Sequence, residues 1–194
     1  MAFQRAIFWY TPFTARITID LESWNQPFLL LPQVLERYAQ IIHNRGAPLQ
    51  NCFGSVDGTL CRTARTQNNQ RAVYNGHKRV HGIKFQSVVI PHGLIANLTG
   101  PFEGRRYDST MLHESRMLKE LQRVAWANGE PLCLYGDPAY PLGIDLQAPF
   151  RDALLTPQVQ RFNEAMSEER YRWSGCLEPS ATITNLLTLK SNWK

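Results

Sequence analysis

Short apolar runs closed by turn residues, with amphipathic helices between them, set the pattern of this 194-residue chain. Cys52-Phe53-Gly54-Ser55-Val56 reads as a buried strand that ends in Asp57, with Gly58 and Thr59 closing it. Val80 to Ile90 alternates, with Ile83, Phe85 and Val89 opposed to Lys84 and Gln86, which predicts a second strand. Pro91-His92-Gly93 then turns the chain into a third strand, Leu94 to Leu98, so these two form a hairpin. Leu132 to Tyr135 is a fourth apolar strand, and it too delivers an aspartate, Asp137, into a turn. The helices have the other period. Val34, Leu35, Tyr38, Ile41 and Ile42 make one stripe from Pro32 to about Asn44, with Gly46 placed to close it. Asp108-Ser109-Thr110 offers N-cap chemistry before Met111, Leu112, Leu118, Leu121 and Ala125. Asn128-Gly129 ends that helix. Thr156-Pro157 opens another, with Val159, Phe162 and Met166 on one face. Gly100-Pro101 and Gly104 mark a loop, as does the stretch from Pro138 to Pro149. Met1 to Pro27 carries no clear period, and from about Trp173 the period weakens again.

The element order is helix, three strands, helix, strand, helix. That suits a mixed α/β sheet with three antiparallel strands, a crossover helix and a parallel fourth strand. Ligands in such sheets gather where strand ends meet a switch in strand order. Two strands ending in Asp57 and Asp137 therefore suggest a site at one edge of the sheet. A carboxylate at the end of a buried strand is costly unless its charge is compensated. A hard divalent cation such as Mg²⁺ or Mn²⁺ would do so, and phosphodiester chemistry uses such ions on both attacking and leaving oxygens. Each residue also has a plainer reading. A lone Asp before or beside Gly is usually a turn former, and Asp108 is explained equally well by N-capping.

The composition limits the alternatives. An apolar share of 43% and 19% charged residues fit one domain with a real core. The formal net charge of +5 is compatible with a polyanion partner. Much of that charge sits between Arg62 and Arg79, where Arg62, Arg65, Arg71, Lys78 and Arg79 are interleaved with Tyr74 and His77. Such a run is either a solvated loop or a phosphate-contacting face. No stretch is long and apolar enough to span a membrane. Cys52, Cys61, Cys133 and Cys176 form no Cys-x-x-Cys pair, which predicts a reduced, intracellular protein without structural zinc. His77 and His81 lack a third partner at metal-ligand spacing. Phosphate-binding glycine loops and a nucleophile elbow are both absent.

Four stretches together resemble the DDE-superfamily endonucleases, and more narrowly the nucleases derived from Harbinger-type transposases. They are Ser55-Val56-Asp57-Gly58-Thr59, the run from Tyr74-Asn75-Gly76-His77 to Lys84-Phe85-Gln86, Gly104-Arg105-Arg106-Tyr107-Asp108-Ser109, and Tyr135-Gly136-Asp137-Pro138-Ala139-Tyr140-Pro141. The likeness spans about Leu21 to Ser167. It implies an RNase H-like fold and divalent-metal (Mg²⁺ or Mn²⁺) nuclease chemistry on DNA. It places the first acid at Asp57 and the second at Asp137, with Asp108 in a further motif beside them as another catalytic and metal-binding candidate. Arg62, Arg65, Arg71, His77, Lys78 and Arg79 are then the candidate DNA contacts. A nuclear location and a separate Myb-like DNA-binding partner also follow from the resemblance.

The third acid departs from the pattern. The family helix reads approximately Arg-Ile-Ser-Val-Glu-Trp, whereas here Arg170 is followed by Tyr171, Arg172, Trp173 and Ser174. Ser174 stands where the glutamate should be, and Glu168, Glu169 and Glu178 are out of register. Codon degeneracy lets Arg170 to Gly175 be encoded so that a shifted frame reads Ile-Ser-Val-Glu-Trp. This divides the chain into a shortened N-terminal helical segment (1–50), the endonuclease domain (51–170) and an aberrant, frame-shifted tail (171–194). Three readings follow: an impaired metal-dependent endonuclease, a catalytically inactive DNA-binding or interaction protein of the same fold, and a broken gene product.

Overall fold

The computed structural model describes residues 7–8, 17–18, 31–65, 70–127, 129–151 and 156–175. Near the start, β1 (Ile7–Phe8) and β2 (Ile17–Thr18) form a small antiparallel ribbon. Helix α1 (Pro32–Asn44) follows, with Pro32 in its first turn and Leu35, Tyr38, Ala39 and Ile42 buried. It ends at Arg45, and Gly46 then takes the left-handed φ of 113° that glycine adopts at little cost.

The central sheet is built on β3 (Cys52–Arg62). On one side it pairs antiparallel with β5 (Val80–Val89), which pairs antiparallel with β6 (Ile95–Glu103). On the other side it pairs parallel with β9 (Cys133–Tyr135). The crossover between β6 and β9 carries α3 (Asp108–Ser115) and α4 (Met117–Val124). This is the three-strand antiparallel start, helical crossover and parallel fourth strand that the pattern predicts. The mixed sheet and its flanking helices are consistent with an RNase H-like fold. Short elements complete it: α2 (Gln70–Val73), β4 (Tyr74–Asn75) on the edge of β5, the ribbon β7 (Trp126–Ala127) with β8 (Glu130–Pro131), and β10 (Leu146–Gln147) parallel to β9. Helix α5 (Pro157–Gly175) packs against β3.

Four local expectations are corrected. Strand β3 does not stop at Asp57, because Thr59, Leu60 and Cys61 are good strand formers and pair with Phe85, Lys84 and Ile83. Asp57 therefore lies mid-strand. Strand β6 runs through Gly100 and Pro101, which an edge strand with no outer partner tolerates. The helix predicted after Asp108 is broken in two at Arg116, whose φ of 55° is left-handed. Finally, α5 continues to Gly175, beyond the point where its apolar period fades.

A bulge between Cys52 and Gly54 sets which side chains face which layer. Beyond it, Val56 joins Phe53, Val88, Leu134, Leu112 and Leu121 in the main core, on the α3 and α4 side. Ser55, Asp57, Thr59 and Cys61 alternate with these and face the other way. On that second face Met166 of α5 packs with Cys52, Cys133, Tyr135 and Val89. Cys52, Cys61 and Cys133 are buried and form no disulfide among the described residues. No described helix is long and apolar enough to cross a membrane.

Candidate active site

Strands β3 and β9 bring the two predicted aspartates together. Ser55 pairs with Tyr135 in the parallel ladder, and two residues further along each strand are Asp57 and Asp137. Neighbouring strands lie about 4.8 Å apart, so the two acids occupy adjacent positions on the face covered by α5. Asp137 immediately follows β9, and its Oδ1 accepts a hydrogen bond from the Ala139 backbone N–H at 2.8 Å. One oxygen thus holds the turn, as an aspartate in that position commonly does, and the other remains for a ligand.

Burial, above all, raises the Asp57 carboxyl above its ordinary value. The Arg170 guanidinium on α5 opposes this, and the neighbouring Asp137 and Asp108 carboxylates add to it. Arg170 also lowers the Tyr135 phenol, which burial raises. The Tyr135 hydroxyl has no hydrogen bond of good geometry, yet Ser167 lies near enough to favour its ionised form. Helix α5 therefore presents Ser167 and Arg170 toward the acid face.

The donor chemistry fits a hard cation. Ser55 and Thr59 flank Asp57 along its strand, and Ser87 pairs with it across the ladder. The hydroxyls of all three are buried without a partner among the described residues. Buried polar groups seldom stay unpaired, and a hydrated ion between Asp57 and Asp137 would bring water to satisfy them. Mg²⁺ is commonly held by one or two carboxylates and keeps several waters. Among the described residues, no group of three His, Cys, Asp or Glu side chains is arranged to hold a metal.

Asp108 comes in from the opposite face. It is the first residue of α3, Tyr107 is the N-cap residue, and no side chain caps the helix. Its carboxylate lies against Gly58, where any side chain would collide with it. Its Oδ1 accepts from Lys84 Nζ at 2.8 Å, and the same ammonium donates to the Arg106 carbonyl at 2.9 Å. Lys84 is 8% exposed. Sequence reasoning missed this lysine. Its signal was a cation on the helix-facing side of an apolar strand, where only a buried partner makes it tolerable. Removing one member of a buried pair leaves the other uncompensated, so Lys84→Met is expected to cost about 3–5 kcal/mol. Lys84→Met/Asp108→Asn should recover most of that. Denaturant unfolding of both variants checks this, and a single-variant cost under about 1 kcal/mol would exclude such coupling.

Of the acids on α5, Glu169 is buried. One oxygen is bound by Arg172 at 3.0 Å and the other has no partner among the described residues. Ser174 lies four residues after Arg170 in the same helix.

The predicted basic residues gather at one end of the β3–β5 ladder. Arg62 ends β3 opposite Gly82, Arg71 lies on α2, and His77, Lys78 and Arg79 form the turn before β5. All five are exposed, as is Arg65, which donates to Gln70. Arg62 is five residues from Asp57, about 17 Å along the strand. Arg105 and Arg106 adjoin this end, since the Arg105 N–H donates to the Ala72 carbonyl.

Comparison with curated proteins and with solved structures finds no match. The family comparison does: residues 56–176, which hold Asp57, Asp108, Asp137 and the whole of α5, match the DDE superfamily endonuclease, and the chain belongs to that superfamily.

Proposed function

We propose that the chain is a Harbinger-type, transposase-derived nuclease domain that binds DNA in the nucleus and cleaves it weakly, using a divalent ion held by Asp57 and Asp137. The placement of those acids on adjacent parallel strands, among three unpartnered buried hydroxyls, carries this reading. Such an ion, when bound, polarises the scissile phosphate and activates water. Asp57 and Asp137 supply the charged oxygens, while Ser55, Thr59 and Ser87 order the water around them. Asp108 lies behind Asp57, its own charge compensated by Lys84. Impairment follows from Ser174, which supplies no third carboxylate. The reading is tested by Mn²⁺ binding to the purified chain and by Mn²⁺-dependent nicking of supercoiled plasmid. Binding with slow nicking supports it, whereas robust nicking with Mg²⁺ would overturn the impairment.

A second reading keeps the fold and drops the chemistry: a DNA-binding or interaction protein that a Myb-like partner brings to its site. The absence of a three-acid metal group among the described residues favours it. Both readings use the basic end of the sheet. Arg62, Arg65, Arg71, Lys78 and Arg79, with His77, contact phosphates and carry no sequence information. Replacing three of these arginines by Gln is expected to lower the slope of log K against log salt by about 3. Filter-binding titrations between low and moderate salt measure it. An unchanged slope would place the DNA elsewhere.

A further inference from the structure

We infer that Arg105, Arg106 and Tyr107 form a rim that grips one DNA strand, with the Tyr107 ring stacked on an unpaired base. This rests on the DNA-binding reading above and adds to it a site for a nucleobase.

Between β6 and α3 the chain makes a short loop whose backbone is tied down at every residue. The buried Asn75 amide donates to the Gly104 carbonyl at 2.7 Å. Gly104 packs against the Gly82 and Val73 carbonyls so closely that no side chain fits there. The Arg105 N–H donates to Ala72 and the Arg106 N–H to Glu103, at 3.3 and 2.9 Å. The Arg106 carbonyl takes the Lys84 ammonium, and the Tyr107 carbonyl takes the N–H groups of Thr110 and Met111 at 3.0 Å each. The bonds that fix the loop are therefore made by its backbone and by Asn75 and Lys84.

The Tyr107 side chain takes no part in that structure. It is 78% exposed, and its structural work is done by a carbonyl that any residue would provide. A lone exposed aromatic is ordinary. Here it is carried on a clamped backbone, follows two arginines, and precedes the aspartate whose charge is felt at Asp57. Arg105 and Arg106 pair with Glu103 and Glu114 through side chains that are a third or more exposed. Such pairs are weak and exchange readily for phosphate. A rigid aromatic among arginines is the arrangement that binds single strands, because every base has a π-face and its phosphate lies nearby. A stacked base here would hold the strand next to Asp108, on the α3 side of the sheet.

The full chain, titrated with a DNA duplex carrying a single-stranded overhang labelled with 2-aminopurine, tests this. Binding to the overhang should quench the probe. Tyr107→Ala should weaken overhang binding about 5- to 150-fold and abolish the quench, while Tyr107→Trp keeps both. Exposure of the ring means the melting temperature should not move, which separates this effect from misfolding. Tight binding with an unchanged quench in Tyr107→Ala would overturn the stacking site and leave the DNA-binding reading standing. Loss of affinity equal for blunt duplex and overhang, without a change in quench, would also overturn it. No binding of either DNA by the unaltered chain would overturn both.

Discussion

Asp57→Asn should weaken Mn²⁺ binding by roughly 10- to 100-fold and, without metal, make the protein more stable. Loss of a charged oxygen ligand should cost at least as much affinity as loss of a residue that only orients a ligand. The gain in stability has a separate cause. Burial and the neighbouring Asp137 and Asp108 charges raise the Asp57 carboxyl above its ordinary 3.8, so the folded state holds the proton more tightly than the unfolded chain. The stability that protonation gives is full below the ordinary carboxylate range and is lost as pH rises through the raised folded value. At neutral pH the bare carboxylate is thus a burden, which an amide of the same shape removes. In EDTA the variant should melt higher than the parent, by about 2–4 °C for each kcal/mol relieved. Below the ordinary carboxylate range the two curves should converge. With Mn²⁺ the order should reverse, because the ion stabilises the parent by mass action and not the variant. Melting curves across pH, with and without Mn²⁺, measure all three. A variant that melts lower than the parent in EDTA at neutral pH would show Asp57 to be a structural acid, held by contacts that outweigh its burial.

How far the sequence discloses this molecule depends on the range of the interactions involved. Period and turn chemistry are local, and they disclosed α1, β5, the hairpin turn at Pro91-His92-Gly93 and the order of strands around the crossover. Strand ends were less legible, since pairing decides them. Gly58 looked like a terminator, yet β5 continues opposite Thr59 to Arg62 and carries β3 onward. Gly100-Pro101 looked like a loop, but β6 has no outer neighbour that needs the missing N–H. Strand β10 is two residues long, and its place in the sheet comes from β9, not from its own pattern. The adjacency of Asp57 and Asp137 was legible because each follows an apolar run. The role of Asp108 was not, because capping and ion pairing need the same residue at the same place. Only Lys84, 24 residues away, decides between them. Of the tail (171–194) with its proposed change of frame, all but residues 171–175 lies outside the described residues.

The other large effect is a gain. Ser174→Glu should tighten Mn²⁺ binding by roughly 10- to 100-fold and raise plasmid nicking from slow to readily measured. The reason lies in the geometry of α5. Arg170 already acts on Asp57 and Tyr135, so its face of the helix looks onto the acid face of the sheet. Residue 174 is four positions further along the same helix, which is about one turn. The helix continues through it to Gly175, so the backbone needed to present a third carboxylate is in place. A glutamate there meets two competing demands. Arg170, at i and i+4, offers it a surface pair worth about 0.3–0.5 kcal/mol, far less than a charged ligand gives a divalent ion. Without metal it adds a like charge beside Asp57 and Asp137, so the variant should melt lower in EDTA and gain more from Mn²⁺ than the parent does. That change of sign distinguishes a ligand from a residue that merely packs. Ser174→Gln, of the same shape without the charge, should show neither the tighter binding nor the lower melting point in EDTA. If Ser174→Glu and Ser174→Gln bind Mn²⁺ alike, this face of α5 does not complete the site, and restoring the third acid would require more of the helix than one residue.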